Sequence, residues 1–360
     1  MRRHSESYNF IGDPETGVTM RWGAALDQDP VLAPWPELAD ISISNHCSKH
    51  CDFCYRDSKP DNSFLSIADY ERILDSLTSP RWGSVFQVAL GGGEPLEHPR
   101  FLEIVRRTWE RGIVANFTTN GQAITKTLAA ELAGKVGAVA ISVSSIEEMR
   151  PDRVKILADA GIKTNLHFVL DSNSIDQAAE LLEGRFNHLF DDVNAVIFLT
   201  FKPRGRGAES RCLRPGASLD RFVARIDSSA CSGHIGFDAC FVPILMRRTE
   251  VDVDYVDSCE CAFFSVYIDE QMNVKPCSFA IGNLDSFNLR QYSMEEIWIQ
   301  RFFDYRKRIL DDSCREDCKH SPSCHGTCAY FVSLAFCHQP GTSNFDRRYK
   351  DGIRNCQQTL

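Results

Sequence analysis

No apolar run in this 360-residue chain approaches the ~20 residues that a helical membrane span requires, so no membrane partner is expected. An excess of basic charge is missing too. The 40 Lys and Arg against 49 Asp and Glu leave a net charge of −9, which argues against a general nucleic-acid binder. The paired Arg2 and Arg3 are followed by polar residues and by no apolar segment, so a signal peptide is not expected and a cytoplasmic location is. Internal repeats and low-complexity stretches are absent. The remaining composition, 43% hydrophobic and 25% charged, is that of an ordinary globular protein. Its length leaves room for one large α/β domain of roughly 200–250 residues and a smaller appendage.

Cysteine is what the chain has in excess. Without an export signal, fifteen cysteines argue for metal-binding thiolates over a disulfide framework. Twelve fall within 47–54 and 259–356, and Cys212, Cys231 and Cys240 are scattered between. These three read as buried structural thiols, although one of them could donate a hydrogen atom.

From Ile41 onward, β-branched and apolar runs alternate with helical patterns. Strands are predicted at Ile41–Ser44, Val85–Leu90, Val114–Thr118, Ala138–Val143, Thr164–Leu170 and Val196–Phe201. Helices are predicted near 67–77, 100–111, 125–133, 151–160, 175–184 and 219–227, with Ser66 and Asp69 opening the first as a capping-box-like pair. Six such units predict an α/β fold, a partial (βα)6 TIM-like barrel whose ligands sit at the carboxyl ends of the strands, with the first strand at the edge. Residues 1–40 form an N-terminal extension with a hairpin turning at Gly17, residues 41–240 the barrel core, and residues 241–360 a cysteine-rich domain.

Cys47, Cys51 and Cys54 follow the first strand in the spacing C-x3-C-x2-C, with Phe53 before the third cysteine. Zinc usually takes four ligands, whereas three close thiolates leave one iron of a cubane cluster open for a substrate or cofactor. Leu90-Gly91-Gly92-Gly93-Glu94-Pro95 ends the second strand, where glycines let a ligand approach the main chain. The two motifs resemble those of the radical S-adenosylmethionine (SAM) enzymes. The resemblance implies a [4Fe–4S] cluster on Cys47, Cys51 and Cys54 whose open iron binds SAM. Gly92, Gly93 and Glu94 then match the positions that hold the methionine amino group, and Phe53 is a further cofactor contact. Thr118, Asn120, Ser142 and Ser144, at the third and fourth strand ends, become candidates for the SAM carboxylate and ribose, against ordinary turn chemistry. His167, Leu199 and Phe201 could line the site, with a satisfied core histidine the blander account of His167. Lys202-Pro203-Arg204-Gly205-Arg206-Gly207 reads as a solvated basic loop, with contact to an anionic group as the alternative.

Near the C-terminus, Cys314, Cys318, Cys324 and Cys328 lie close together, and in isolation such a set would hold zinc. Behind a radical SAM core it resembles a SPASM domain, which binds auxiliary iron–sulfur clusters. Met272 stands where that family has glycine, and the first gap of the quartet is x3 instead of x2. By this resemblance Cys259, Cys261, Cys277 and Cys328 hold one auxiliary cluster. Cys314, Cys318, Cys324 and Cys356 hold the other, with Cys337 competing for the last place.

The resemblance implies that a 5′-deoxyadenosyl radical abstracts hydrogen from a residue of a ribosomally made peptide or protein, most simply to form a crosslink oxidatively. A flavodoxin- or ferredoxin-type reductant would supply electrons. The ~40 residues before the first strand are few for a leader-binding domain, which leaves that task to a partner protein or to the barrel. Ser278 follows Cys277 where sulfatase maturases carry a carboxylate, which weakens a formylglycine-forming reading. Dehydrogenation of a small-molecule alcohol and peptide epimerisation are the alternatives within enzymes. A zinc-bound scaffold is the alternative outside them.

Overall fold

The computed structural model describes residues 1–252, 256–310 and 328–331. Its strands are β1 (Arg2–Ser5), β2 (Tyr8–Gly12), β3 (Thr19–Trp22), β4 (Leu38–Ser44), β5 (Thr78–Ser79), β6 (Gly83–Ser84), β7 (Gln87–Gly92), β8 (Val114–Thr119), β9 (Val136–Val143), β10 (Lys163–Leu170), β11 (Ala195–Thr200), β12 (His234–Phe237), β13 (Ser265–Ile268), β14 (Asn273–Lys275) and β15 (Phe287–Asn288). Helices α1 (Ile67–Ser76), α2 (Phe101–Glu110), α3 (Lys126–Leu132), α4 (Pro151–Asp159), α5 (Ile175–Leu182), α6 (Ala217–Ile226) and α7 (Val242–Arg248) fall largely between the strands of the main sheet.

That sheet has ten strands in the order β12-β11-β10-β9-β8-β7-β4-β13-β14-β15. Every pair from β12 to β13 is parallel, and β14 and β15 add antiparallel. This is the α/β partial barrel expected from the alternation, lengthened at both ends. Each βα crossover must be right-handed, so successive helices cover the same face of the curving sheet.

Side-chain periodicity explains the layers. In β10, Thr164, Leu166, Phe168 and Leu170 are fully buried, while Asn165, His167 and Val169 alternate with them on the concave face. Phe101, Ile104, Val105 and Thr108 make one buried stripe on α2, as Leu219, Phe222, Val223 and Ile226 do on α6. Ser66 caps α1, its hydroxyl accepting from the Asp69 N–H at 3.0 Å.

The first barrel strand is not an edge, contrary to expectation. Residues Ser265–Ile268 of β13 pair in parallel with Leu38–Ile41 of β4, so the cysteine-rich segment continues the barrel sheet. Residues before 41 form an antiparallel sheet, β1-β2-β3, with Gly17 in the β2–β3 turn at φ +75°. Arg3 fastens this sheet to the barrel by donating to the Trp35 and Pro36 carbonyls at 2.9 and 3.0 Å.

Candidate active site at the barrel mouth

The three motif cysteines lie in the connection from β4 to α1. They are only partly buried, and the loop is folded back by bridges that pair Ser44 with Phe64 and His46 with Lys59. Burial raises the Cys51 thiol; Lys49 opposes the rise, and the neighbouring Cys47 and Cys54 sulfurs add to it. Burial raises Cys47 as well. Thiolates grouped this closely repel one another until a cation neutralises them, so the donor set fits an iron cluster.

The glycine-rich end of β7 runs directly beneath this loop. Gly93 N–H donates to the Ser44 carbonyl at 2.6 Å, and Glu94 N–H to that of His46 at 2.8 Å. A Cβ on Gly92, at φ +109°, would lie 2.1 Å from the Ser44 carbonyl oxygen, and one on Gly93 2.0 Å from that of His46. Close passage against the cysteine loop therefore requires glycine at both positions.

Glu94 is buried, and its carboxylate accepts from the Thr119 hydroxyl at 2.6 Å, Asn120 N–H at 2.7 Å and Leu96 N–H at 3.1 Å. Burial pushes its carboxyl up in spite of these bonds. It ties the end of β7 to the end of β8, a positioning role that its place in the motif did not disclose. Asn120 beside it has a buried Nδ2 with no hydrogen-bond partner among the described residues. A buried donor without an acceptor is costly, and the acceptor-rich carboxylate of an amino acid would satisfy it. The residues therefore fit SAM at this end of the barrel.

The other candidates separate. Thr118 and Ser142 occupy the half-buried, concave-side positions of β8 and β9. Ser144 is instead engaged with Glu148, donating from its N–H at 2.8 Å and its hydroxyl at 2.9 Å, and Glu148 pairs with Lys49 of the cysteine loop at 3.0 Å. Phe53 carries the Arg211 guanidinium over its ring at 4.8 Å. Leu199 takes a half-buried, concave-side position on β11, whereas Phe201 is buried at its end.

His167 has no hydrogen-bond partner among the described residues, so it is not a satisfied core histidine. Burial pushes it down to about 4. Asp40, which sequence reasoning passed over, shares the concave side of β4 with Ser42 and Ser44. It opens to the barrel interior but is walled by protein, which lifts its carboxyl to about 6. Period-two alternation along β4 was a signal that could have singled it out.

The basic loop after β11 is not solvated. Lys202 is buried, 2.9 Å from Asp238 and 4.6 Å from the Phe279 ring centroid. Arg204 donates to the carbonyls of Ser278 and Ala280 at 3.1 and 2.7 Å. Arg206 holds the cysteine loop: Nε donates to the Cys51 carbonyl at 2.8 Å, and one terminal nitrogen to the Ser58 carbonyl at 2.8 Å and to Asp57 at 2.9 Å. Gly205, at φ +61°, lets the loop lie against Cys54, whose carbonyl oxygen a Cβ would meet at 2.3 Å.

The cysteine-rich segment also reaches the mouth. Arg56 pairs with Glu270 at 2.5 Å, and the Tyr55 and Phe279 rings meet at a tilt of 32° with centroids 4.5 Å apart. Phe279 N–H in turn donates to the Cys277 sulfur at 3.3 Å. The Cys261 sulfur is within hydrogen-bonding reach of Cys259 and Cys277, and Cys328 of Cys240. Cys240 is therefore not an isolated structural thiol. Among the described residues no three His, Cys, Asp or Glu groups converge on one point as ligands of a single ion would. Cys314, Cys318, Cys324, Cys337 and Cys356 lie outside the described residues.

A parallel barrel with three thiols on its first loop and a glycine-rich second strand end defines an iron–sulfur enzyme whose cofactor sits at the barrel mouth. Residues 41–184 match the Radical SAM superfamily. The chain is 30% identical over 95 residues to the tungsten-containing aldehyde ferredoxin oxidoreductase cofactor-modifying protein of Pyrococcus furiosus, 26% of either chain. A longer match, 26% identity over 330 residues and 83% of both chains, is to the mycofactocin maturase MftC of Mycobacterium ulcerans. Streptococcus suis SuiB bound to its precursor peptide SuiA has the same fold, with a TM-score of 0.62 at 18% identity over 82% of this chain and 72% of that one. The chain is thus a radical SAM enzyme that uses a [4Fe–4S] cluster and SAM.

Proposed function

We propose that this enzyme modifies a ribosomally made peptide oxidatively, most simply by forming an intramolecular crosslink. The observation that carries the reading is the alignment to the mycofactocin maturase MftC, which covers 83% of the chain and so reaches from the barrel into the cysteine-rich segment. The fold shared with SuiB, a protein solved bound to a precursor peptide, agrees with it.

Cys47, Cys51 and Cys54 hold the cluster, and together cluster and SAM supply a 5′-deoxyadenosyl radical that can take hydrogen from an unactivated carbon. The chain's own residues do the rest. Arg206 and Lys49 keep the cysteine loop closed, and Glu94 fixes the ends of β7 and β8 so that Asn120 Nδ2 faces a cofactor acceptor. Asp40 and His167, without protein hydrogen bonds in the barrel interior, are placed to receive a proton from the peptide. Cys259, Cys261, Cys277 and Cys328, beside Tyr55 and Phe279, would hold an auxiliary cluster, which would supply an acceptor for the electron left by oxidation. Cys314, Cys318, Cys324 and Cys356 are assigned to a second one. A partner protein or the barrel itself holds the peptide's leader, and a flavodoxin- or ferredoxin-type protein reduces the first cluster.

Anaerobic incubation of reduced enzyme with SAM and a short peptide encoded beside its gene tests the reading. The expected product lacks two hydrogens, and Cys51→Ala forms neither it nor 5′-deoxyadenosine. Uptake of one deuterium from D2O with no mass change in water would replace crosslinking by epimerisation. An unchanged peptide, alongside oxidation of an alcohol substrate, would refute the peptide assignment.

A further inference from the structure

Five sulfurs gather on the cysteine-rich side of the mouth, where a cubane cluster takes four. Cys259, Cys261 and Cys277 make one run of contacts, and Cys240 and Cys328 make another. Interaction between Cys277 and Cys328 joins the two groups.

Cys240 has the more elaborate support. It follows β12, a strand absent from the sequence expectation. Asp238 anchors the turn: its N–H donates to the Phe198 carbonyl at 2.9 Å, and its carboxylate accepts from the Thr200 hydroxyl at 2.7 Å and Lys202 at 2.9 Å. Phe241 N–H donates back to the Asp238 carbonyl at 2.9 Å, and its ring stacks on Phe237 at 5.1 Å. The buried Lys202 ammonium interacts with Cys240, Cys328 and Cys277. Four thiolates carry more negative charge than the small positive charge of a [4Fe–4S] core neutralises, and a buried cation offsets the excess. That cation stands on the Cys240 side of the group. Cys259, only two residues before Cys261, would have to share a cubane through a single intervening residue, tighter than the C-x2-C spacing such clusters commonly use.

We propose that Cys240 completes the ligand set of the first auxiliary cluster with Cys261, Cys277 and Cys328, in place of Cys259. This rests on the auxiliary-cluster reading above.

The experiment uses the full chain with Cys47, Cys51 and Cys54 all changed to Ala, so that any iron bound after anaerobic reconstitution is auxiliary. Iron and sulfide content and the electron paramagnetic resonance of the dithionite-reduced protein are then compared across added variants. Cys240→Ala and Cys240→Ser are expected to lose about four irons per chain and one reduced-cluster signal, as Cys328→Ala does, whereas Cys259→Ala keeps both. Circular dichroism separates ligand loss from misfolding, and the near-isosteric serine variant covers the case in which alanine does not fold. Unchanged iron and spectra in both Cys240 variants would overturn the assignment. A triple variant that binds no iron would overturn the auxiliary-cluster reading and this inference with it.

Discussion

Arg206→Ala should separate the stability of the cysteine loop from that of the barrel. The side chain makes three polar contacts, to the carbonyls of Cys51 and Ser58 and to the Asp57 carboxylate. Asp57 is solvent-exposed, so its arm adds little. A charged donor to a carbonyl contributes about 1.5–3 kcal/mol, so the two carbonyl bonds together favour the closed loop by roughly 3–6 kcal/mol. The backbone bond from Arg206 N–H to the Cys54 carbonyl, 3.0 Å, survives the substitution. Even the lower figure shifts the ratio of closed to open loop by about a hundredfold. The barrel core lies elsewhere, so the global loss is capped by the free energy of opening the loop locally. The expected outcome is a small fall in Tm with a large fall in iron retained by Cys47, Cys51 and Cys54 and in 5′-deoxyadenosine formed. Arg206→Lys should recover little, because one ammonium cannot reproduce the fork that spans two carbonyls. Wild-type iron content together with a wild-type rate of SAM cleavage in Arg206→Ala would refute the reasoning.

Gly205→Ala attacks the same contact from the backbone. Its left-handed conformation alone costs an alanine about 1–2 kcal/mol, and the Cβ meets the Cys54 carbonyl oxygen; iron loading should fall, whereas Gly161→Ala, with open space at its Cβ, should lower only Tm. Glu94→Gln keeps one oxygen for the Thr119 and Leu96 donors but sets an amide NH2 against the Asn120 N–H, so calorimetric titration with SAM should show at least tenfold weaker binding; unchanged affinity would mean that β7 and β8 hold their ends without it. Asp40 and His167 should give opposite pH signatures in thermal melts. Asp40 has its folded value raised to about 6, so the folded state holds the extra proton and stability falls as pH rises from about 4 to 6; Asp40→Asn should remove that fall. His167 has its value lowered to about 4, so the unfolded state holds the extra proton and stability rises from about pH 4 to 6.5; His167→Gln should remove that rise.

The strands and helices were legible because each βα unit carries its own signal. A run such as Val114–Thr119 alternates burial with period two, and a stripe such as Phe101, Ile104, Val105 and Thr108 repeats as a helix does. Pairing between distant segments leaves no such trace. Nothing in Ser265–Ile268 marks it as the partner of Leu38–Ile41, so β4 read as an edge. The site divides the same way. Cys47, Cys51, Cys54 and the Gly92-Gly93-Glu94 turn are local motifs whose residue types are fixed by chemistry or by close backbone approach. Lys202, Arg204 and Arg206 looked like surface charge because their partners, Asp238, Ser278, Ala280, Cys51 and Ser58, lie from 36 to 155 residues away. A buried cation and a solvated one are the same letter in a sequence, and only the fold supplies the carbonyls that tell them apart. The same holds for thiols. Cys240 had no neighbour within a motif, and its companion Cys328 is 88 positions on (about four times the length of the longest common zinc spacing). Spacing rules find ligands that the chain brings together locally; ligands that a sheet edge and a tail bring together have to be found in the fold.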